Sequence, residues 1–310
     1  LITNAIRYLI LLFFLKKGKV ILAKIIDGKA IAAQVRAELK IEAMKWREQG
    51  IIPKLAVIQA GDDAASLVYV RSKQNLCQQV GINLDLFTFK GTVKTKEILT
   101  LLGELNNDGK VHGIVIELPL PPQVDKQRVI AAISPVKDVD GLHPLNKGYL
   151  SSGKEGLFPA TPAACIEVLK RSNIEIAGRH AVLVGRGETV GRPLIFMLLK
   201  ENATVTVCHT RTVDLSLYTR QAEILFVAVG RPKLIKGEMV KPGAVVVDAG
   251  INALEKGICG DVDFETVKEI AGAVTPVPGG VGSLTTVLLL KNVCLAIQMQ
   301  QEEKKREGTF

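Results

Sequence analysis

From Ala181 to Pro193 the chain reads Ala-Val-Leu-Val-Gly-Arg-Gly-Glu-Thr-Val-Gly-Arg-Pro, an apolar run that breaks into glycines at 185, 187 and 191. Four apolar residues without polar alternation suit a strand covered on both faces, the situation in a parallel sheet. The G-x-G-x-x-x-G spacing is a variant of the dinucleotide fingerprint, in which missing side chains let a pyrophosphate approach the N-terminus of the following helix. A strand, tight turn and helix of this kind require a right-handed crossover to a neighbouring parallel strand, which limits the chain to an α/β architecture.

The rest of the sequence repeats that alternation. Helical periodicity predicts helices over about 28–49, 65–80 and 95–106, with strands at 55–59, 82–89 and 113–117 between and after them. A stretch with Gly and Pro and little periodicity, about 137–161, reads as an interdomain region and cleft wall. Beyond it lie β-branched runs at 181–184, 204–208, 224–229 and 244–247, and a last helical pattern at about 283–300 that can pack back on the first unit. The expected fold is therefore α/β with two domains and a cleft between them. An N-terminal α/β catalytic domain is completed by the C-terminal helix (20–145 plus 284–303), and a Rossmann-type dinucleotide-binding domain spans 146–283. Residues 304–310 read as a disordered charged tail.

About 20 residues past the Gly turn, where NAD enzymes place an acid for the ribose hydroxyls, the chain has Cys208-His209-Thr210-Arg211 and no acid. Arg186, Arg211 and the Thr210 hydroxyl suit a 2′-phosphate, so NADP is the favoured cofactor and NAD the alternative. His209 reads equally well as a strand-end histidine and is assigned no chemistry.

Composition excludes several other classes. Of the net charge of +9, residues 1–19 supply four units through Arg7, Lys16, Lys17 and Lys19, and the remaining +5 contains no dense basic run of the kind that binds nucleic acid. Five cysteines (77, 165, 208, 259, 294) form no C-x-x-C pair, and the four histidines show no ligand spacing, which argues against a metal and fits a reducing cytoplasm. Residues 8–15 are apolar but far shorter than the roughly 20 needed to span a bilayer. Residues 1–19 read as a non-native or flexible extension with Val20 as the true start; a membrane-surface anchor is the competing reading.

Tyr69 and Lys73 stand four apart on the helix predicted after Gly61, which places a phenol and an amine on one helix face. By spacing alone this is also what an ordinary amphipathic helix with a solvated lysine would show.

The blocks Lys24-Ile25-Ile26-Asp27-Gly28-Lys29, Tyr69–Lys73, Leu118-Pro119-Leu120-Pro121, Lys137-Asp138-Val139-Asp140-Gly141 and Pro159-Ala160-Thr161-Pro162 occur in that order. They are followed by the Gly185 turn, Asp248-Ala249-Gly250-Ile251-Asn252, Gly260-Asp261-Val262 and Thr275 to Gly282. From about Ala23 to Gln298 the chain thus resembles the bifunctional methylenetetrahydrofolate dehydrogenase/methenyltetrahydrofolate cyclohydrolase family. The resemblance implies oxidation of 5,10-methylenetetrahydrofolate by NADP and hydrolysis of the methenyl cation to 10-formyltetrahydrofolate, in a cytoplasmic homodimer of one-carbon metabolism. It makes Lys73 the catalytic lysine, with Tyr69, Glu117 and Asp140 beside it. Reduced folate would be bound by Tyr69, Leu118, Pro119, Asp140, Pro278, Gly279 and Gly280. The dinucleotide would be bound by Thr161, Gly185, Arg186, Gly187, Thr189, Val190, Gly191, Thr210, Arg211, Gly230 and Ile251.

The chain departs from the family pattern at several places. Glu117 stands where glutamine is usual, and a carboxylate there would favour the charged lysine and make Lys73 a poorer base. Asn75 replaces a second lysine, Ser283-Leu284 replace Pro-Met, and Gly187 and Thr189 replace Ser and Ile. Two further readings follow: a dehydrogenase with impaired cyclohydrolase activity, and a non-catalytic nucleotide-binding regulator on the same scaffold.

Overall fold

The computed structural model describes residues 23–61, 63–255 and 257–307. The expectation for residues 1–19, and the proposed start at Val20, lie outside the described residues. Among the described residues, no helix is long and apolar enough to cross a membrane.

The first domain is built on a three-stranded parallel sheet in which Lys54–Ala60 lies between Asn83–Phe89 and Gly113–Ile116. The central strand is buried along almost its whole length, which explains why Leu55 to Ile58 carry no polar alternation. Of helices Gly28–Glu48, Ala64–Val80 and Thr95–Asn107, the second and third form the predicted crossovers, and the first leads from the other sheet into the central strand. The first begins at Asp27, whose Oδ1 accepts from the Lys29 and Ala30 amides at 2.9 and 3.0 Å, a side-chain N-cap.

The second domain is a six-stranded, all-parallel sheet, ordered from one edge as 24–25, 273–274, 245–248, 224–227, 180–184 and 204–208. Strand order reverses beside His180–Val184, so the Gly185 turn sits at the switch point, where open α/β sheets bind ligands.

Three expectations are corrected. Lys24–Ile25 were expected in the first domain, but they pair with Ala273–Val274 at the edge of the second sheet, a two-residue strand too short to be read from periodicity. The aperiodic stretch at 137–161 contains a helix, Pro144–Ser151, capped by the His143 ring nitrogen. The last helix runs from Thr285 to Glu307, so residues 304–307 continue it instead of forming a disordered tail.

That last helix returns to the first domain and is stitched there by side-chain amides. Asn292 Nδ2 donates to the carbonyls of Val139 (2.8 Å) and Phe158 (2.9 Å), and Gln300 Nε2 to those of His112 (2.9 Å) and Val136 (3.0 Å). One apolar core runs through both domains, joining Leu39 and Val115 to Leu169, Leu183 and Leu290. Outside it, Arg171 grips Glu38 with two parallel hydrogen bonds of 2.7 and 2.6 Å, tying the first helix of one domain to helix Ala160–Arg171 of the other. Asn292→Ala leaves two carbonyls without their partner and should lower unfolding stability by about 2 kcal/mol. Urea denaturation checks this, and an unchanged midpoint would contradict the tethering role.

Candidate active site

The Lys137-Asp138-Val139-Asp140-Gly141 block shows how local structure sorts polar residues. Lys137 is buried and its Nζ donates to the carbonyls of Leu105, Asn106 and Asp108 at 2.8–2.9 Å, so its ammonium closes the C-terminus of helix Thr95–Asn107. Asp138, also buried, accepts from the amides of Leu142 (3.1 Å) and His143 (2.8 Å) and from Asn146 Nδ2 (2.9 Å). Gly141 takes φ +67°, and a Cβ there would stand 2.6 Å from the Phe158 carbonyl carbon. The turn so fixed leaves Asp140 facing the cleft, where burial and then the Asp138 charge push its carboxyl up to about 6, Lys73 opposing.

Glu117 is the first residue past strand Gly113–Ile116, and its amide extends the ladder to the Ile58 carbonyl at 2.9 Å. Its Oε1 accepts from Lys73 Nζ at 2.7 Å, and both side chains are over 90 % buried. This overturns the solvated-lysine reading of the helix. The helix backbone carries Tyr69 one turn before Lys73, but the Tyr69 side chain lies outside what the structure describes.

Lys73 and Asp140 line a cavity of about 590 Å³ between the domains, a volume suited to a small ligand. Of the expected folate residues, Leu118, Pro278, Gly279 and Gly280 also line it. From the nucleotide side come Thr161, Thr189 and Ile251. The glycine turn explains itself in part. Gly185 has φ +114° and a Cβ there would meet the Ala228 carbonyl oxygen at 2.0 Å; one on Gly191 would meet the Gly185 oxygen at 2.4 Å. Gly187, by contrast, opens on free space, as a phosphate cradle requires. Arg186, Thr210 and Arg211 are exposed around this turn, and His209 Nδ1 accepts from the Arg211 amide at 3.1 Å, which gives the histidine a structural role. Glu188, the turn's acid, is held by Lys147 at 2.8 Å, which keeps its carboxyl below the ordinary range. Pro119, Gly185, Arg186, Gly187, Val190, Gly191, Thr210, Arg211 and Gly230 are not among the described residues lining the cavity.

Two buried aspartates, for which sequence alone suggests no role, organise the cofactor side. Asp261 accepts from the amides of Val229 (2.6 Å), Gly230 (2.9 Å) and Arg231 (2.9 Å) and from Asn252 Nδ2 (2.8 Å). Asp248 accepts from the amides of Gly250, Asp261 and Val262 at 2.9–3.1 Å, and burial still pushes its carboxyl up to about 6. A Cβ on Gly250 or Gly260 would collide with these carboxylates at 2.2 and 1.8 Å. Only the presence of Asp248 and Asp261 in the matching blocks marked them; their work depends on loops distant in sequence. Among the described residues, no cluster of three or more His, Cys, Asp or Glu is placed to hold a metal.

With this geometry in view, comparison with known proteins is specific. Residues 26–140 match the family model of the tetrahydrofolate dehydrogenase/cyclohydrolase catalytic domain, and residues 159–301 that of its NAD(P)-binding domain. The chain is 57 % identical over 282 residues to bifunctional protein FolD 2 of Desulfitobacterium hafniense, covering 91 % of this chain and 99 % of that protein. It is 58 % identical over 280 residues to FolD of Pelotomaculum thermopropionicum, covering 90 % and 99 %. Among solved structures, bifunctional FolD of Campylobacter jejuni superposes with TM-score 0.88 at 44 % identity over 90 % of this chain and 99 % of that one. The Trypanosoma brucei enzyme, solved with NADP cofactor and an inhibitor, gives 0.85 at 35 % identity over 90 % and 98 %.

Asp261→Ala removes the acceptor of three backbone amides and should weaken dinucleotide binding about tenfold while lowering the unfolding temperature. Dinucleotide titration and calorimetry read the two effects separately.

Proposed function

The chain belongs to the tetrahydrofolate dehydrogenase/cyclohydrolase family, and from that membership we propose that it oxidises 5,10-methylenetetrahydrofolate with NADP and hydrolyses the methenyl product to 10-formyltetrahydrofolate. The observation carrying the reading is one cavity in which Lys73, held by Glu117 behind it, Asp140 and the 278–282 loop meet Thr161, Thr189 and Ile251 from the nucleotide side. The 2′-phosphate preference rests on Arg186 and Arg211 near the turn, and on the NADP bound to the trypanosomal relative.

When bound, the oxidised dinucleotide supplies the hydride acceptor for the one-carbon bridge. The residues' part in this step is positional: the adjacent folate nitrogen drives hydride departure, so no strong base is needed, only a near-attack geometry. Asp140, as a carboxylate, accepts hydrogen bonds from the pterin's N–H edge and fixes its orientation. Hydrolysis is different. Water adds to the cationic carbon and loses a proton, a C–N bond breaks, and the departing nitrogen takes a proton up. The Lys73 amine and Glu117 carboxylate, 2.7 Å apart, are the groups placed to move those protons. Tyr69 is assigned to stacking on the folate, and the active form to a homodimer.

The short Lys73–Glu117 contact also favours a second reading, in which the charge-assisted hydrogen bond to Glu117 engages the Lys73 nitrogen and slows hydrolysis relative to oxidation. A coupled assay of both reactions on wild type, Lys73→Ala and Glu117→Gln, with NADP and NAD compared, tests both readings. Lys73→Ala should lose cyclohydrolase activity by about 100-fold or more. Glu117→Gln should raise the ratio of cyclohydrolase to dehydrogenase activity roughly fivefold or more, dehydrogenation being retained. Equal cyclohydrolase rates for wild type and Glu117→Gln across a pH series would eliminate the second reading alone.

The raised carboxyl of Asp140 gives a pH signature. Below about 6 it is protonated and loses acceptor capacity, so kcat/KM for the folate should fall as pH drops through that value. Asp140→Asn should have lower kcat/KM throughout and no break near that pH; a break that persists in the variant would assign the titration to another group.

A further inference from the structure

Gln59 interrupts the apolar run of the central strand of the first domain and is only 3 % exposed. Side chains alternate along that strand. Ala56 and Ile58 enter the core that holds Ile98 and Leu102, whereas Leu55 and Val57 enter the one that holds Val70 and Cys77 of helix Ala64–Val80. Gln59 takes the second direction. On the neighbouring strand Ile114 and Ile116 join the first of these cores and Val115 the second, so Glu117 points the same way as Gln59. Register pairs Ile58 with Ile116, and its next step sets Gln59 beside Glu117, with about 4.8 Å between the strands. Both residues thus face the helix whose Lys73 is bonded to Glu117 Oε1. The Gln59 amide is half satisfied: Nε2 donates to the Gly61 carbonyl at 3.5 Å, and Oε1 has no partner. Exchanging the amide's nitrogen and oxygen would set two acceptors against each other at Gly61, so the unpaired atom is the oxygen. Thr88, the register partner on the other side, gives it no bond.

A buried acceptor left unpaired is costly, and it suits a donor that is present for only part of a reaction cycle. A carboxylate has no hydrogen to give, but a protonated carboxyl does. We propose that Gln59 is a positioning residue for hydrolysis, its Oε1 accepting the O–H of Glu117 while that carboxyl holds a proton taken from Lys73. The proposal deepens the folate reading above and rests on it. A proton leaves Lys73 Nζ for Glu117, and Gln59 holds it there. The freed amine lone pair takes a proton from the water adding to the cationic carbon, then gives it to the departing nitrogen, which also receives the C–N electron pair. The remaining hydroxyl proton leaves to solvent as the formyl C=O forms, and the proton on Glu117 returns to Lys73. Hydride transfer uses none of these steps, so oxidation does not depend on Gln59.

A double-mutant cycle tests it, with both activities measured on wild type, Gln59→Leu, Glu117→Gln and the double variant. Gln59→Leu should lower cyclohydrolase kcat about tenfold while its KM and the dehydrogenase kcat stay within about twofold. In the Glu117→Gln background, where residue 117 carries no transferable proton, the same substitution should change cyclohydrolase kcat by less than about twofold. Gln59→Met, of similar length and with only a weak acceptor, replaces Gln59→Leu if the latter does not fold. Equal losses in the two backgrounds, a parallel loss of dehydrogenase activity, or no loss at all would overturn the role of Gln59 and leave the catalytic reading standing. Oxidation without measurable hydrolysis in wild type would overturn it as well. Turnover of neither substrate would overturn the folate reading, and the role of Gln59 with it.

Discussion

The cleft depends on the chain crossing between its two sheets three times. Strand Lys24–Ile25 belongs to the second sheet, while the helix that follows it packs in the first domain. The chain crosses again near 140–160, and returns after Val274 into helix Thr285–Glu307. Where the first and last crossings meet, Gly28 lies so close to the Gly280 carbonyl that a Cβ would stand 2.1 Å from its oxygen. The 278–282 loop is thereby pinned between the domains. With a shared apolar core and the Asn292 and Gln300 tethers, the two walls of the site are parts of one packed body.

Within that body the polar side chains near the cleft divide into two groups. Lys137, Asp138 and Asp261 are saturated by backbone donors or acceptors, and each shapes a turn. Lys73, Glu117 and Asp140 are directed at the cavity or at each other. Burial acts on both groups, but only in the second does a proton have somewhere to go. Asp248 lies between them: it lines the cavity while three amides hold its carboxylate, so its role is to shape the wall.

The glycine positions follow the same division. Gly185 and Gly191 answer steric demands of the protein's own backbone, and Gly187 leaves room for a ligand. One fingerprint therefore combines two physical causes that its spacing does not distinguish.

Periodicity and punctuation determined the elements. The long helices, the buried strands, the Gly turn and the return of the last helix were legible because local burial patterns are set by nearest neighbours along the chain. The ordered motif blocks also marked Lys73, Asp140 and the 278–282 loop, and identified Glu117 as a departure. What tertiary structure alone decided concerns partners far apart in sequence. The two-residue strand at 24–25 is defined by its pairing with 273–274. Asp261 acquires its role only by meeting the 229–231 amides. Gln59 and Glu117 become neighbours only when their strands pair in register. By helix spacing alone Lys73 was indistinguishable from a solvated lysine, and only folding buried it 2.7 Å from Glu117, because desolvation and proximity are properties of the packed chain and have no local signature.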